Sequence, residues 1–345
     1  MRLIVFLLLA TAGFAIATPD EDWNAIVALD AGPGAKPKNL EEARALAKTH
    51  LQRQEKMVSE FLEKNPADPR SREARMRLAS LLAAIGKMDN RQSQVDDAMR
   101  MLQALEKEPS APREVRAEAG FRRVSLLLQS LQGQENERRR DIVAAARNFQ
   151  NRFPGDRRAP RLLVEVATIC DNNPPLKREL LDEARRLSNE PALNRRIADD
   201  LKRLELLDKP LALEFPTLQG GRFNITSCRG RVTLVVFWST ESLPSLLWIE
   251  DFRRALPKLP ADKLAVVTIA LDQNPATVRE VMEGLGISQW PTACDGQSWQ
   301  SPLVRPYGIN ALPTILLLDQ IGTLRAINAR NSYESWLRKL LVERS

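Results

Sequence analysis

The apolar residues of this 345-residue chain follow two different periods, and the period changes near residue 209. Between residues 39 and 208 they recur at steps of three and four without strand-like alternation, which is typical of amphipathic helices. Beyond Leu207-Asp208-Lys209-Pro210 the chain shows short runs rich in β-branched residues, which are typical of strands. We therefore predict two domains, an all-α domain over 39–208 and an α/β domain over 210–345.

A repeated motif indicates how the helical domain is organised. Phe61–Asp68 and Phe149–Asp156 both read F-x-x-[K/R]-x-P-x-D. In each, the proline ends an amphipathic helix. Prolines 66, 109, 154 and 191 stand roughly 40 residues apart, within the range of helical-hairpin repeats. The domain thus resembles tetratricopeptide-like α-solenoids, whose curved face is a docking surface. The alternative is an irregular helical bundle.

The α/β domain is predicted from alternating strand and helix patterns. Val232–Trp238 is a continuous apolar, β-branched run, typical of a strand that is buried on both faces. We expect one hairpin around Gly220-Gly221 and another around Gly322. Together the patterns predict a mixed sheet with helices on both faces. The other strands are expected at 211–215, 222–225, 264–271, 314–318 and 323–327. A first helix should follow the central strand and end near residue 256, and two more are expected at 275–284 and 333–344.

Residues 1–17 have the pattern of a secretory signal peptide. A short basic start precedes an apolar run that continues to Ala17, and Ala15-Ile16-Ala17 fits the small-x-small cleavage rule. We expect cleavage after Ala17, a linker over 18–38, and an exported, periplasmic protein. The alternative is a retained anchor, although the apolar run is shorter than the ~20 residues that a bilayer span needs.

Charge and histidine content restrict the partners. The chain has 51 Lys and Arg against 44 Asp and Glu, a formal net charge of +7, with the two signs interleaved. A nucleic-acid-binding surface would concentrate the basic residues on one face. His50 is the only histidine, which excludes a histidine-rich metal site. We expect no nucleic acid, no metal and no cofactor, and as partner an exported protein or an extended peptide.

Three segments of the C-terminal domain stand in a familiar order: Cys228-Arg229-Gly230-Arg231, Val235-Val236-Phe237-Trp238-Ser239-Thr240, and Tyr307-Gly308-Ile309-Asn310-Ala311-Leu312-Pro313-Thr314. They resemble the thioredoxin-like fold of exported, TlpA-like thiol-disulfide oxidoreductases and of the related peroxiredoxin (AhpC/TSA, or redoxin) superfamily. The resemblance covers residues 210–345. It implies a cis peptide bond at Leu312–Pro313 and a cleft beside this proline, where an extended partner chain pairs with the backbone.

The position where that family carries two cysteines has none here. The family continues with x-Cys-x-x-Cys after Phe-Trp-x-Thr, whereas this chain has Glu241-Ser242-Leu243-Pro244-Ser245. Disulfide exchange requires a thiolate, which neither serine can supply. Ser242 is predicted to be a helix N-cap instead, and we expect no catalytic residue here. The resemblance leaves a binding cleft, with Trp238, Glu241, Pro244, Leu312 and the cis-proline Pro313 as the candidate contact residues.

We therefore expect a binding or assembly module that is redox-inactive at the usual site. The alternative is a thiol-disulfide oxidoreductase or a peroxiredoxin-like antioxidant enzyme that uses Cys228 or Cys294. These two cysteines lie in loops of one domain and have a second interpretation, a structural disulfide, which depends on their Cα separation. Cys170 lies in the apolar stretch of a helix and is predicted to be a buried free thiol.

Three further residues are left with two interpretations each. Trp290 and Trp299 flank Cys294 and either pack in the core or line the cleft. Asp272 follows the second buried strand, so it is either a functional group at the C-terminal end of the sheet or the cap of the next helix.

Overall fold

The computed structural model describes residues 18–35, 37–130 and 135–343. The predicted signal peptide, residues 1–17, lies outside the described residues. Contacts between Cα atoms divide the chain into two compact units, Met1–Gln132 and Gly133–Ser345. The predicted fold class is confirmed, since helices come first and a mixed sheet with further helices follows. The change from helices to strands near residue 209 falls inside the second unit.

The first unit is helical throughout its described part. Its five helices pack in chain order, α1 on α2, α2 on α3, α3 on α4 and α4 on α5, as helical-hairpin repeats do. A single glycine, Gly86, lies where α3 approaches Val95 of the following helix closely. The helices are α1 Pro19–Ala28, α2 Leu40–Lys64, α3 Ser71–Met88, α4 Gln92–Lys107 and α5 Arg113–Gln129.

The predicted linker over residues 18–38 is wrong for its first part, which forms helix α1. Thr18 caps this helix: its Oγ1 accepts a hydrogen bond from the Glu21 amide at 3.3 Å, and its own amide donates to the Glu21 carboxylate at 2.8 Å. This reciprocal capping box stabilises the helix start. Trp23 then packs on Phe61 of α2 with ring centroids 5.2 Å apart. Trp23 and Ile26 are both buried and belong to one core cluster with Phe61, so that the helix is anchored by its apolar side.

The second unit begins with four more helices. The helix boundaries lie at the prolines, as predicted from the sequence: α6 ends just before Pro154, and α9 begins with Pro191. As in the first unit, each helix packs on the next. Their ranges are α6 Glu135–Arg152, α7 Arg158–Thr168, α8 Pro174–Leu187 and α9 Pro191–Leu204.

The repeated motif has the same local geometry in both copies and includes one more residue than the sequence comparison found. Asp68 accepts hydrogen bonds from the amide and the Nε of Arg70, both at 2.8 Å. Asp156 accepts the equivalent bonds from Arg158 at 3.0 and 2.9 Å. Each guanidinium also lies over the ring of the motif's phenylalanine, 5.7 and 5.9 Å from its centroid. The bonds from Arg70 lower the pKa of Asp68 to about 2.

The α/β part is built on a five-stranded sheet and a separate two-stranded hairpin. The strands are β1 Glu214–Pro216, β2 Arg222–Asn224, β3 Val232–Trp238, β4 Leu264–Ala270, β5 Thr292–Ala293, β6 Thr314–Leu318 and β7 Leu324–Ala326. Strands β1 and β2 pair with each other, and the larger sheet has the order β5-β4-β3-β6-β7. The central strand β3 is parallel to β4 and antiparallel to β6. Every residue of β3 is buried, as the sequence predicts for a strand covered on both faces.

Three helices complete this part: α10 Leu243–Ala255, α11 Pro275–Leu285 and α12 Tyr333–Leu340. Alternate residues of β3 share one hydrophobic core with residues of all three helices, among them Phe252, Met282 and Leu337. The two-residue strand β5 was not predicted, because a pairing this short has no alternation to detect. Helix α12 also ends four residues before the predicted limit of 344.

Candidate binding site at the start of α10

Ser242 and Ser245 form the cap of α10. Ser242 is the N-cap residue, and its Oγ accepts a hydrogen bond from the Ser245 amide at 3.4 Å. The Ser245 hydroxyl donates to the same Oγ at 2.9 Å, and Ser245 is fully buried. Pro244 occupies the first turn, where its missing amide proton is not needed. The predicted N-cap is therefore confirmed, and the helix start presents hydroxyls that do not ionise near neutral pH.

A buried carboxylate fixes the loop between β3 and α10. Asp272 follows β4 and accepts hydrogen bonds from the Thr240 amide at 3.0 Å, the Thr240 hydroxyl at 2.5 Å and the Ser239 hydroxyl at 3.1 Å. It does not cap α11, because Asn274 does so by accepting from the Ala276 amide at 3.0 Å. Asp272 thus lies at the C-terminal end of the sheet, as one of its two interpretations expects, and there it holds the loop in place.

The proline loop lies beside this helix start. The Leu312–Pro313 peptide bond is cis, which confirms the prediction from the resemblance. Thr314 begins β6 and pairs with Phe237, so the register places Pro313 opposite Trp238, the last residue before the 239–242 loop. The ends of two adjacent strands therefore bring Pro313 to the same edge of the sheet as α10.

Not all candidate contact residues are accessible. Trp238 is completely buried and belongs to the core, which is inconsistent with direct contact to a partner, and Pro313 is also buried. Glu241 and Pro244 are exposed, and Leu312 is partly exposed. Two apolar side chains that the sequence did not single out add to this surface: Leu243 is 64% exposed and Leu247 53%. Their spacing of four residues places them on the same side of α10.

Helix α9 contacts the other side of the proline loop. Arg203 donates from Nη1 to the carbonyl oxygen of Gly308 at 3.0 Å and pairs with Asp200. Asn310 donates from Nδ2 to Asp200 at 3.1 Å and to the Arg196 carbonyl oxygen at 3.2 Å. These partners are 105 to 114 residues apart in sequence. The local pattern of the chain carries no signal for them.

The three cysteines are free thiols. Cys170 is completely buried, as predicted, and donates to the Val166 carbonyl oxygen at 3.4 Å. Burial raises the pKa of Cys170 to about 11. Burial also raises the pKa of the half-buried Cys294 thiol, which donates to the Asp272 carbonyl oxygen at 3.5 Å. Both thiols are therefore protonated near neutral pH and are weak nucleophiles.

No disulfide joins Cys228 and Cys294, because they lie at opposite ends of the sheet. Cys228 precedes the start of β3, whereas Cys294 follows β5, which pairs with the C-terminal end of β4. The length of β3 alone separates these ends by roughly 20 Å. A disulfide needs Cα atoms within about 7 Å of each other.

The tryptophans that flank Cys294 behave differently. Trp290 is buried in the core, where it packs against Phe252 with ring centroids 6.1 Å apart. It also lines a small pocket at the Cys228 end of the sheet, away from the proline loop. Trp299 is 43% exposed. The core interpretation therefore holds for Trp290.

Within residues 18–35, 37–130 and 135–343, none of the helices combines the length and the apolar character that a membrane crossing requires. The same residues bring together no group of three or more histidine, cysteine or acidic side chains that could hold a metal ion.

Comparisons with known proteins find similarity only in solved structures. No protein-family model matches the chain, and no curated protein matches it. A thiol-disulfide oxidoreductase from Bacteroides fragilis aligns with 20% identity over 37% of this chain and 96% of its own, with a TM-score of 0.33. The thioredoxin domain of a thiol-disulfide oxidoreductase from Bacteroides vulgatus aligns with 16% identity over 38% and 97%, with a TM-score of 0.34. A thioredoxin-family thiol:disulfide interchange protein from Chlorobium tepidum aligns with 20% identity over 39% and 96%, with a TM-score of 0.31.

The topology of the chain itself agrees with the predicted fold. The central strand β3 leads through α10 to the parallel strand β4, and an antiparallel pair of strands and a helix follow. A cis-proline directly precedes β6, next to the start of α10. The C-terminal α/β part of this chain has a thioredoxin-like fold.

Proposed function

We propose that this protein is an exported thioredoxin-like binding module that performs no disulfide exchange at the usual site. The hydrogen-bonded hydroxyls of Ser242 and Ser245, 2.9 Å apart at the start of α10, carry this proposal. They keep the cap that a helix start requires and remove the nucleophile that the exchange requires. The expected ligand is an extended segment of an exported partner protein, bound beside Pro313.

The surface around this helix start is suited to binding. Leu243 and Leu247 expose apolar area on the first turns of α10, next to exposed Glu241 and Pro244. Burial of apolar side chains is the main favourable contribution to most protein associations. Asp272 holds the preceding loop by three hydrogen bonds, so little ordering remains to be done when a partner binds.

The alternative, an enzyme that uses Cys228 or Cys294, has weaker support. Burial raises the pKa of Cys294, which lowers its thiolate fraction at neutral pH. Cys228 is only 5% exposed and lies at the opposite end of the sheet from Pro313. Neither has a second cysteine nearby at the spacing that an exchange centre uses.

A gain of function tests whether only the thiols are missing. The double variant Ser242→Cys/Ser245→Cys is expected to reduce insulin with dithiothreitol at least about tenfold faster than the wild type, because a helix N-terminus lowers the pKa of a cysteine there. The matched control is Asn274→Cys/Thr277→Cys. It places cysteines at the same spacing at the start of α11, where Asn274 is also an N-cap followed by a proline.

The control distinguishes an effect of the α10 site from the effect of any two cysteines at a helix start. We expect it to stay at the wild-type rate, because the strand register places the Pro313 loop beside the start of α10 and not beside the start of α11. Equal rates for the two double variants would contradict the proposal that the α10 site retains an exchange-competent scaffold.

Export is part of the proposal and has its own test. Helix α1 is capped from Thr18 onwards, so removal of residues 1–17 would leave the cap intact. The new α-amino group at Thr18 would face the Glu21 carboxylate, which already accepts from the Thr18 nitrogen at 2.8 Å. We expect N-terminal sequencing of protein from the periplasmic fraction of the native host to begin at Thr18. A chain that begins at Met1 in the cytosol would contradict export.

A further inference from the structure

A polar cavity of about 310 Å³ lies between the proline loop and helices α7 to α9. Residues 310–314 form one wall, α9 and the end of α7 form another, and residues 328–332 complete it. The volume is at the lower end of the range for small-molecule sites. It adjoins the surface described above but is built mainly from charged and amide side chains.

The charges of the cavity do not balance. Two of its cations are paired within it, Lys177 with Asp171 and Arg203 with Asp200. Two further cations, on α9 and in the 328–332 loop, also line it. These are Arg196 and Arg330, both exposed, and neither forms an ion pair with any residue in the described ranges. The cavity therefore has an excess of two positive charges.

A buried donor in the wall also lacks an acceptor. Arg203 is only 5% exposed, and two of its nitrogens bond to Asp200 and to the Gly308 carbonyl oxygen. Its Nε has no hydrogen-bond partner in the described part of the chain. Buried polar groups are almost always hydrogen-bonded in folded proteins, so an unpartnered donor on a residue that lines a cavity needs an acceptor that the chain does not supply.

From these three observations we propose that the cavity binds a carboxylate group, held by Arg196, Arg330 and the buried guanidinium of Arg203. Planar guanidinium groups match the two oxygens of a carboxylate. The excess of two positive charges would also attract a phosphate dianion, so the comparison of carboxylate with phosphate distinguishes a carboxylate site from a general anion site. The carboxylate belongs either to a small organic acid or to the end of a bound peptide. The peptide case rests on the proposed function, whereas the free-acid case does not.

Calorimetric titration of the full-length protein tests this proposal. The probes are acetate, inorganic phosphate, acetyl-tetraalanine with a free C-terminal carboxylate, and the same peptide amidated. We expect acetate or the acid peptide to bind at least about tenfold more tightly than phosphate and the amidated peptide. Arg196→Gln/Arg330→Gln should weaken that binding at least about tenfold. Arg195→Gln/Arg338→Gln removes the same charge from exposed positions outside the cavity and should leave binding unchanged.

The outcomes separate this proposal from the proposed function. If acetate binds as tightly as the acid peptide, the ligand is a free acid, and a tighter acid peptide identifies a peptide end. Equal binding of acid and amidated peptides would overturn the carboxylate site while supporting peptide binding. Three further outcomes would also overturn the carboxylate site. These are phosphate binding as tight as carboxylate binding, an equal loss of affinity in the two double variants, and no binding of either acetate or the acid peptide.

Discussion

Replacement of Gly308 by alanine is expected to destabilise the second unit by about 3–4 kcal/mol, the sum of backbone strain and overpacking. Gly308 has a φ of +62°, in the left-handed region. A Cβ at this position would lie 2.2 Å from the carbonyl oxygen of Asp199 and 3.3 Å from the Arg203 amide nitrogen, both backbone atoms of α9. Backbone atoms within a packed helix cannot move aside without a large cost in free energy. The substitution would therefore push the proline loop and α9 apart.

Gly286→Ala is the matched control. Gly286 has a φ of +66°, but a Cβ there would meet only the Arg253 side chain, at 3.8 Å and beyond. This variant should lose only the cost of the left-handed conformation, about 1 kcal/mol. Urea denaturation followed by tryptophan fluorescence measures the free energy of unfolding of both variants, since five of the six tryptophans lie in the second unit. Similar losses for the two variants would contradict the close packing of α9 on Gly308.

Arg203→Met is expected to cost about 3–5 kcal/mol, because it leaves the Asp200 carboxylate buried without its cation. Asp200 is 4% exposed and Arg203 5% exposed. The substitution also removes the 3.0 Å bond to the Gly308 carbonyl oxygen. Methionine retains much of the side-chain volume, so that the loss is mainly electrostatic.

Two further variants show whether the loss comes from the buried charge. Asp200→Asn/Arg203→Met should regain part of the stability lost in the single variant, because a neutral amide replaces the unpaired carboxylate. Arg254→Met removes one partner of an exposed pair with Glu250 and should cost less than about 1 kcal/mol. If Arg203→Met and Arg254→Met have the same free energy of unfolding, the prediction is contradicted, and the buried Arg203–Asp200 pair does not hold α9 to the proline loop.

The parts of the fold that could be predicted are those encoded in local pattern. The run Val232–Trp238 is a strand over its full predicted length, because it is apolar and β-branched at nearly every position. Ser242 could be assigned as an N-cap because it precedes a helical pattern that contains an early proline. The cis bond before Pro313 followed from a resemblance, not from any local preference of the chain.

The parts that could not be predicted depend on distant contacts. Helix α1 is too short to show a clear period, and its burial on α2 through Trp23 has no local signal. The pairing of Asp200 and Arg203 with the 308–310 segment joins residues more than 100 positions apart. The domain boundary predicted near residue 209 follows a change of local pattern, whereas the compact units divide before α6.

The apolar surface on α10 could have been noticed from the sequence. Leu243 follows the N-cap and Leu247 lies one turn later, both away from the positions that pack in the core. Two exposed leucines one turn apart at the start of a helix are typical of a contact surface. Burial distinguishes them from the core positions of the same helix.

Reduction of insulin by dithiothreitol in the presence of the wild-type protein tests most directly the proposal that the start of α10 supports no disulfide exchange. We expect the rate with wild type to equal the rate without protein. Cys228→Ser and Cys294→Ser should leave it unchanged, because neither thiol lies at the start of α10. A wild-type rate clearly above the background that either substitution abolishes would contradict the proposed function and establish an enzyme that uses that cysteine.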